Sequence, residues 1–418
     1  MKPNLILLFL VSLVIATPGL GQVETLSLEH CIELAIENNN TLRKSLMNVE
    51  QASVSKRQSY SELFPSLTIS ASGNNSKTSQ MGSDWESQWS LQKTAEQAIY
   101  RPGLFSNIKQ AGINEQIAKI SSAETESQIR LLVKNLYFQI LSSNSLIAVY
   151  QENIQSSAEN LEKIRLMFKV GAKTESDVLK AEVQKGNFES QLLTEQQNLL
   201  SYKRQLNSAM GRSPLLEFQI VSLSADSVDV PAFNSAQQML LPKNRNFQML
   251  KKQEASSALA VSIAKEAFLP SFSGYYTYSK SDDFTSTPGF STDQFGLRVS
   301  INLFNGCYKR LNVQQQKLSL NSASIELSEE ELQLYDELAN LYTNLDTNNK
   351  QIELNVKSVQ AARRDLDLVS ERYAHGASTI LDQMTAQASL LESQSNLVKL
   401  KYGRKIIEAQ IKQLLAME

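Results

Sequence analysis

Apolar residues recur at every seventh position through the middle of the chain, at Val133, Ile140, Ile147, Ile154, Leu161 and Phe168. The stripe returns 205 positions later as Leu338, Leu345, Ile352, Val359, Leu366 and Tyr373. A seven-residue apolar period with polar residues between is the seam of long helices packed side by side. The helical pattern runs from near Ser106 to Phe168 and from near Tyr308 to Tyr373. At a rise of ~1.5 Å per residue the first of these predicts a rod of roughly 95 Å. The same offset pairs Pro65 with Pro270, Tyr137 with Tyr342, Gly171 with Gly376 and Asp177 with Asp382. An internal duplication follows, and with it two similar structural repeats.

Each repeat has the same order of parts. A helical pattern from Leu26 to about Phe64, with Leu28, Ile32, Ala35, Ile36 and Leu42 on one face, is matched by another from about Phe233 to Leu269. Each ends at Pro-Ser, at Pro65-Ser66 and Pro270-Ser271, where proline stops the helix and starts extended chain. Beyond, the period falls to two. Phe295, Leu297, Val299, Ile301 and Leu303 alternate with Gly296, Arg298, Ser300 and Asn302, and Phe272, Gly274, Tyr276 and Tyr278 form the hairpin partner. This is the pattern of a barrel strand with one wet face. Leu67, Ile69, Ala71, Trp85, Trp89 and Leu91 give a weaker version in the first repeat, and both tryptophans of the chain fall there, as an interfacial aromatic belt requires. After each long helix, Gly171 and Gly376 break the rod and a second helix returns, Glu175 to Met210 and Ile380 to Leu415.

The expected organisation is a signal peptide over 1–21, a first repeat over 22–211 and a linker over 212–231, followed by a second repeat over 232–418. The first repeat holds a β-hairpin at about 66–100 and a helical turn at about 169–175; the second holds them at about 271–304 and 374–380. The signal reading rests on Lys2, an apolar run from Leu5 to Ala16, and Thr17, Pro18, Gly19 and Gly21. That run is shorter than the ~20 residues a membrane-spanning helix needs.

Composition narrows the function. Aromatic residues make up 7% of the chain, and no proline lies between Gly103 and Ser213 or after Pro288, which suits long solvated helices rather than compact domains. A net charge of -2 leaves no electrostatic footprint for nucleic acid. With two histidines, His30 and His375, no Gly-rich phosphate loop and no metal-ligand spacing, the sequence offers no enzyme, cofactor or metal chemistry. Cys31 in an early helix and Cys307 after a strand read as two free thiols.

Four strands cannot close into a barrel, and open strand edges in lipid cost several kcal/mol per unpaired polar group. Two copies of the chain would give eight strands, filled by side chains; three would give twelve, enough for a duct. At this point the chain resembles the TolC family of outer-membrane efflux channels over nearly all of its mature length. The resemblance is carried by the Pro-Ser joints, the pairs Leu104-Phe105 and Leu303-Phe304, and the two turns, Phe168-Lys169-Val170-Gly171-Ala172-Lys173-Thr174-Glu175-Ser176-Asp177 and Tyr373-Ala374-His375-Gly376-Ala377-Ser378-Thr379-Ile380-Leu381-Asp382. It implies a mainly α chain with a small transmembrane β part, assembled as a homotrimer. A 12-stranded barrel in outer-membrane lipid would continue into an α-helical tunnel across the periplasm of a Gram-negative bacterium. A periplasmic adaptor and an inner-membrane pump would complete a tripartite efflux or type I secretion system.

For individual residues the resemblance implies a gate at the periplasmic tip, with Asp177 and Tyr373 in an interhelical latch. It also implies a lumen ring of Asp382 carboxylates that favours cations and lifts its own pKa by like-charge repulsion. Adaptor docking would use Lys169, Val170, Gly171, Ala172, His375, Gly376 and Ala377. Ser378 stands where well-known members carry a latch arginine, and Thr385 where they carry a second lumen acid; Lys173 is then the substitute latch group, and a weaker cation site is expected. Thr174 to Asp177 and Thr379 to Asp382 also fit the capping box, in which the acid satisfies backbone donors at the start of the returning helix. Two other readings compete, a periplasmic coiled-coil scaffold or adaptor without a barrel, and an outer-membrane trimer without a conduit.

Overall fold

A computed structural model describes residues 24–77, 85–222, 230–283 and 289–417; the expected signal peptide lies outside them. The chain begins with β1 (Glu24–Leu26), α1 (Leu28–Asn38) and α2 (Asn40–Ser61), followed by the hairpin β2 (Ser66–Ser76) and β3 (Glu86–Tyr100). The rod α3 (Leu104–Lys169) and the returning α4 (Glu175–Ala209) complete the first repeat, and β4 (Phe218–Ile220) follows. The second repeat has α5 (Phe233–Lys243), α6 (Arg245–Glu266), β5 (Ser271–Asp283), β6 (Phe290–Ser300), α7 (Tyr308–Ala374) and α8 (Ile380–Leu414). The rods α3 and α7, at 66 and 67 residues, are each about 100 Å long.

The long helix expected before each hairpin is two helices. At Asn39 and Asn244 the backbone is extended, with ψ of 122° and 123°, and each asparagine serves two helix ends. Asn39 Oδ1 accepts from the N–H of Thr41 and Leu42 while its Nδ2 donates to the Ala209 carbonyl (2.8 Å). Asn244 Oδ1 accepts from the Phe247 N–H and its Nδ2 donates to the Leu414 carbonyl (3.2 Å). Orphan donors of one helix and orphan carbonyls of another are thus satisfied by one side chain.

Around these asparagines the two main cores repeat position by position. Cys31, Ala35, Val133, Leu206, Ala209 and Met210 in the first stand where Ala236, Leu240, Leu338, Ile411, Leu414 and Leu415 stand in the second. Each large side chain buried there contributes about 1.5–3 kcal/mol. Both cysteines are free, and burial pushes the Cys31 thiol up to about 12. β1 and β4, read from sequence as helix start and linker, pair in parallel beside the first core. Tyr137, fully buried, donates its hydroxyl to the Val221 carbonyl (2.7 Å), and its counterpart Tyr342 donates to the Pro231 carbonyl. The duplicated tyrosines therefore fasten both ends of the connecting segment to the rods.

The strands form one antiparallel sheet in the order β2-β3-β5-β6. Its register places Leu67, Ala95, Tyr276 and Phe295 in one row, with Phe272, Leu297 and Val299 on the same face. Thr68, Thr94, Thr277 and Gln294 form a row on the opposite face. Neither face is covered: Leu67, Leu297 and Phe295 are 81%, 77% and 87% exposed. β6 ends at Ser300, four residues short of the expected hairpin end at about 304. The physical reason is the absence of a partner. In β3, Gln97, Ala98 and Tyr100 have run past β2 and are held by β5, whereas residues 301–304 have no strand beside them among the described residues.

The rods extend the same order. Near the sheet the helices lie as α2, α3, α6, α7, and towards the turns as α4, α3, α8, α7. The wall is open at both sides, and the apolar residues Leu311, Leu318, Ile325 and Leu332 of α7 and Leu46, Met47 and Val54 of α2 are exposed on its edges. No helix among the described residues is long and apolar enough to cross a membrane.

Candidate functional site

The two helical turns lie at the end of the rods remote from the sheet. Each is built by the same local chemistry. In the first, Gly171 has φ +76°, its N–H reaches the Phe168 carbonyl (2.9 Å) and the Ala172 N–H reaches that of Met167 (2.8 Å). In the second, Gly376 has φ +75°, with bonds from Gly376 to Tyr373 (3.1 Å) and from Ala377 to Arg372 (2.8 Å). This paired closure of a helix C-terminus needs a left-handed residue, which glycine adopts without strain. Lys169, Val170, Gly171, Ala172, His375, Gly376 and Ala377 are all exposed around it.

Both acids of the motif are engaged in capping boxes. Asp177 Oδ2 accepts from the N–H (3.0 Å) and hydroxyl (2.9 Å) of Thr174, whose Oγ1 accepts from the Asp177 N–H (3.2 Å). Asp382 Oδ2 likewise accepts from the N–H (2.8 Å) and hydroxyl (2.7 Å) of Thr379, and additionally from the Ser378 hydroxyl (2.9 Å). Within one chain these bonds to Thr379 and Ser378 hold the Asp382 carboxyl below its ordinary range, as bonds to the charged form must.

Across the turns the structure brings Lys173 and Tyr373 together. Lys173 Nζ sits 3.6 Å from the centroid of the Tyr373 ring and donates to the Tyr373 carbonyl (3.3 Å). The ring is 4% exposed and belongs to an apolar cluster with Leu161, Ile164, Ala181 and Ile380. Its buried hydroxyl has no hydrogen-bond partner among the described residues, so Asp177 is near it without bonding it. Burial, with the Asp177 charge second, pushes the phenol up to about 12.

Above this clasp, α3 and α8 meet through amides, a feature the heptad pattern concealed. Asn160 and Gln383 exchange two bonds of 3.3 Å, Gln387 donates to the Ser157 hydroxyl (2.8 Å), and Asn153 donates to Gln394 (3.1 Å). The only sequence signal was Asn, Ser and Gln at seam-adjacent positions of α3 and α8. Among the described residues no group of His, Cys, Asp or Glu side chains is arranged to hold a metal ion.

The family model for outer membrane efflux proteins matches residues 31–212 and 236–417, one match to each repeat. The cation efflux system protein CusC of Escherichia coli O157:H7 is 23% identical over 407 residues, spanning 94% of this chain and 85% of CusC. The outer membrane protein TolC of Salmonella enteritidis is 23% identical over 400 residues, spanning 90% and 79%. The outer membrane protein VceC from Vibrio cholerae has the same fold, with a TM-score of 0.81 over 94% of this chain and 97% of VceC at 20% identity. Duplicated rods, paired hairpins and a match in each repeat agree: the chain belongs to the outer membrane efflux protein family.

Proposed function

We propose that this protein is the exit duct of a tripartite efflux or type I secretion system in the outer membrane of a Gram-negative bacterium. Three copies form a 12-stranded barrel in the lipid and a helical tunnel in the periplasm. An inner-membrane pump and a periplasmic adaptor deliver substrate to the tunnel, which conducts it passively. The observation that carries this reading is the four-stranded sheet, apolar along one face, uncovered on both faces and open at β2 and β6. Such a sheet is stable only when its edges are paired and its apolar face leaves water.

The gate lies at the helical turns. Lys173 on the Tyr373 ring joins the α3–α4 turn to the α7–α8 turn and replaces the latch that Ser378 cannot make. Three Asp382 side chains ring the axis there as a cation site. Lys169, Val170, Gly171, Ala172, His375, Gly376 and Ala377 form the adaptor contact, because they are exposed, duplicated and free of core duties.

Single-particle imaging of the protein extracted from the outer membrane in detergent tests this reading. A threefold particle with a detergent-covered barrel and a hollow rod of about 100 Å is expected. A soluble monomer, or a solid helical bundle, would overturn it.

A further inference from the structure

The end of α6 and the first turns of α7 carry a cluster of cations that the wall itself does not need. Lys265 and Phe268 of α6, with Arg310, Val313, Gln314 and Lys317 of α7, line one concave pocket of about 360 Å³. Lys309 lies beside it, its Nζ 5.7 Å from the centroid of the Phe268 ring and donating to the Asn302 carbonyl (3.0 Å). Elsewhere near the sheet the cations are paired, Lys56 and Lys119 with Glu115 and Arg101 with Glu62. Among the described residues none of Lys265, Lys309, Arg310 and Lys317 is in an ion pair, and α7 has no acid before Glu326. Glu266, next to Lys265, is committed to the Gly103 N–H (3.0 Å) and the Ser106 hydroxyl (2.6 Å).

Duplication does not account for the cluster. At the 205-residue offset Lys265, Lys309, Arg310 and Lys317 stand where the first repeat has Tyr60, Leu104, Phe105 and Gly112. The first repeat builds the same joint of sheet and rod without a single one of these charges, so they have no duty in the fold, and four like charges in one place repel. A ligand of opposite charge offsets that cost.

Position selects the ligand. Arg310 and Lys317 continue the heptad row of Leu338 and Leu345, which packs further down with Ala236 and Leu240 of α5. α5 is a second layer on that side of the wall, and a tunnel must keep its other side free, so the pocket opens outward. Lys317 lies within about 14 Å of the start of α7, immediately below the sheet, and the exposed side chains of Leu303, Phe304 and Tyr308 stand above it. In the duct this is the depth of the lipid headgroups on the periplasmic side of the outer membrane. We propose that the pocket binds the phosphate of an anionic phospholipid, with Lys265, Arg310 and Lys317 on the headgroup and the acyl chains rising past Phe268 and Tyr308. Arginine meets phosphate through two parallel bonds, and clustered cations at a bilayer surface select anionic lipid. The proposal rests on the outer-membrane trimer above and adds a lipid site, once per chain, that fixes the depth of the barrel.

Lipid retention tests it. Trimers extracted in detergent are mixed with equal amounts of phosphatidylglycerol and phosphatidylcholine, and bound lipid is counted by native mass spectrometry. Wild type should retain phosphatidylglycerol severalfold over phosphatidylcholine, and the triple variant Lys265→Gln, Arg310→Gln, Lys317→Gln should lose at least about tenfold of that preference. A control of the same net charge, Lys163→Gln, Lys180→Gln, Lys357→Gln, changes exposed lysines remote from the sheet and should keep it. A second readout needs no substitution: phosphatidylglycerol should raise the thermal midpoint of the wild-type trimer, and inorganic phosphate at the same concentration should not. Equal retention of the two lipids by wild type, equal loss in the control, or an equal shift from inorganic phosphate overturns the lipid site and leaves the duct intact. A particle that stays soluble as a monomer without detergent overturns both.

Discussion

Lys173 and Tyr373 carry between them the most specific contact at the tip, and its chemistry differs from a hydroxyl latch. Because the Tyr373 hydroxyl is buried without a partner among the described residues, removing it relieves an unmet donor instead of breaking a bond. Tyr373→Phe is therefore expected to leave thermal stability unchanged or slightly raised, and cells expressing it should exclude a bulky antibiotic as well as wild type does. Tyr373→Leu removes the ring under the ammonium, an interaction of about 0.5–2 kcal/mol, and should lower stability and admit the drug. Equal loss in both variants would show that the hydroxyl is the working group. The turns themselves were legible in sequence, since glycine at a helix end and Thr-x-x-Asp after it each have one local physical use. The partner of Lys173 was legible only as a candidate role, because ring and ammonium are 200 positions apart and meet through the packing of two repeats.

Single asparagines decide where elements begin. Heptad and 3.6-residue periods gave the rods and their returns within a few residues, but they run straight through Asn39 and Asn244, where the chain leaves the helix. A polar residue at a helical period carries no mark that it will cap one helix and close another. Asn39→Ala removes the cap of α2 and leaves the Ala209 carbonyl unpaired, which should cost about 2 kcal/mol in denaturant unfolding, and Asn244→Ala should behave alike. The contact of α2 with α3 has its own pH signature. Hydrogen bonds from Lys119 and Lys56 hold the Glu115 carboxyl down to about 2. Its folded value lies below that of an unfolded glutamate, about 4.3. Its contribution is complete above that value and vanishes as pH falls towards the folded one. The difference in thermal midpoint between wild type and Glu115→Gln should therefore be largest near neutral pH and shrink progressively below about pH 5; a difference independent of pH would contradict the pairing. The strand alternation was equally legible to Leu303, and the structure stops it at Ser300 because alternation reports which side a residue faces, not whether a neighbouring strand exists. β1 and β4, at three residues each, are too short for any period to register.

As a whole the chain is a wall: four strands above, rods below, and exposed apolar edges on both sides. Duplication accounts for this shape, since two similar repeats that pack side by side leave an outer edge on each side of the one seam between them. The fold class was therefore readable from the 205-residue offset and the count of strands. The amide contacts between α3 and α8 were not, because buried and solvated polar residues look alike in a sequence. These contacts set the two helical hairpins of one chain against each other through bonds that water can replace, which is the property a reversible opening needs. Current through single trimers inserted in planar lipid bilayers measures the duct and its gate together. Wild type should conduct weakly, and the combination Lys173→Gln with Tyr373→Leu should raise the conductance severalfold with the trimer intact. Trimers that insert yet carry no current in either form would contradict the central claim that this wall encloses a conduit.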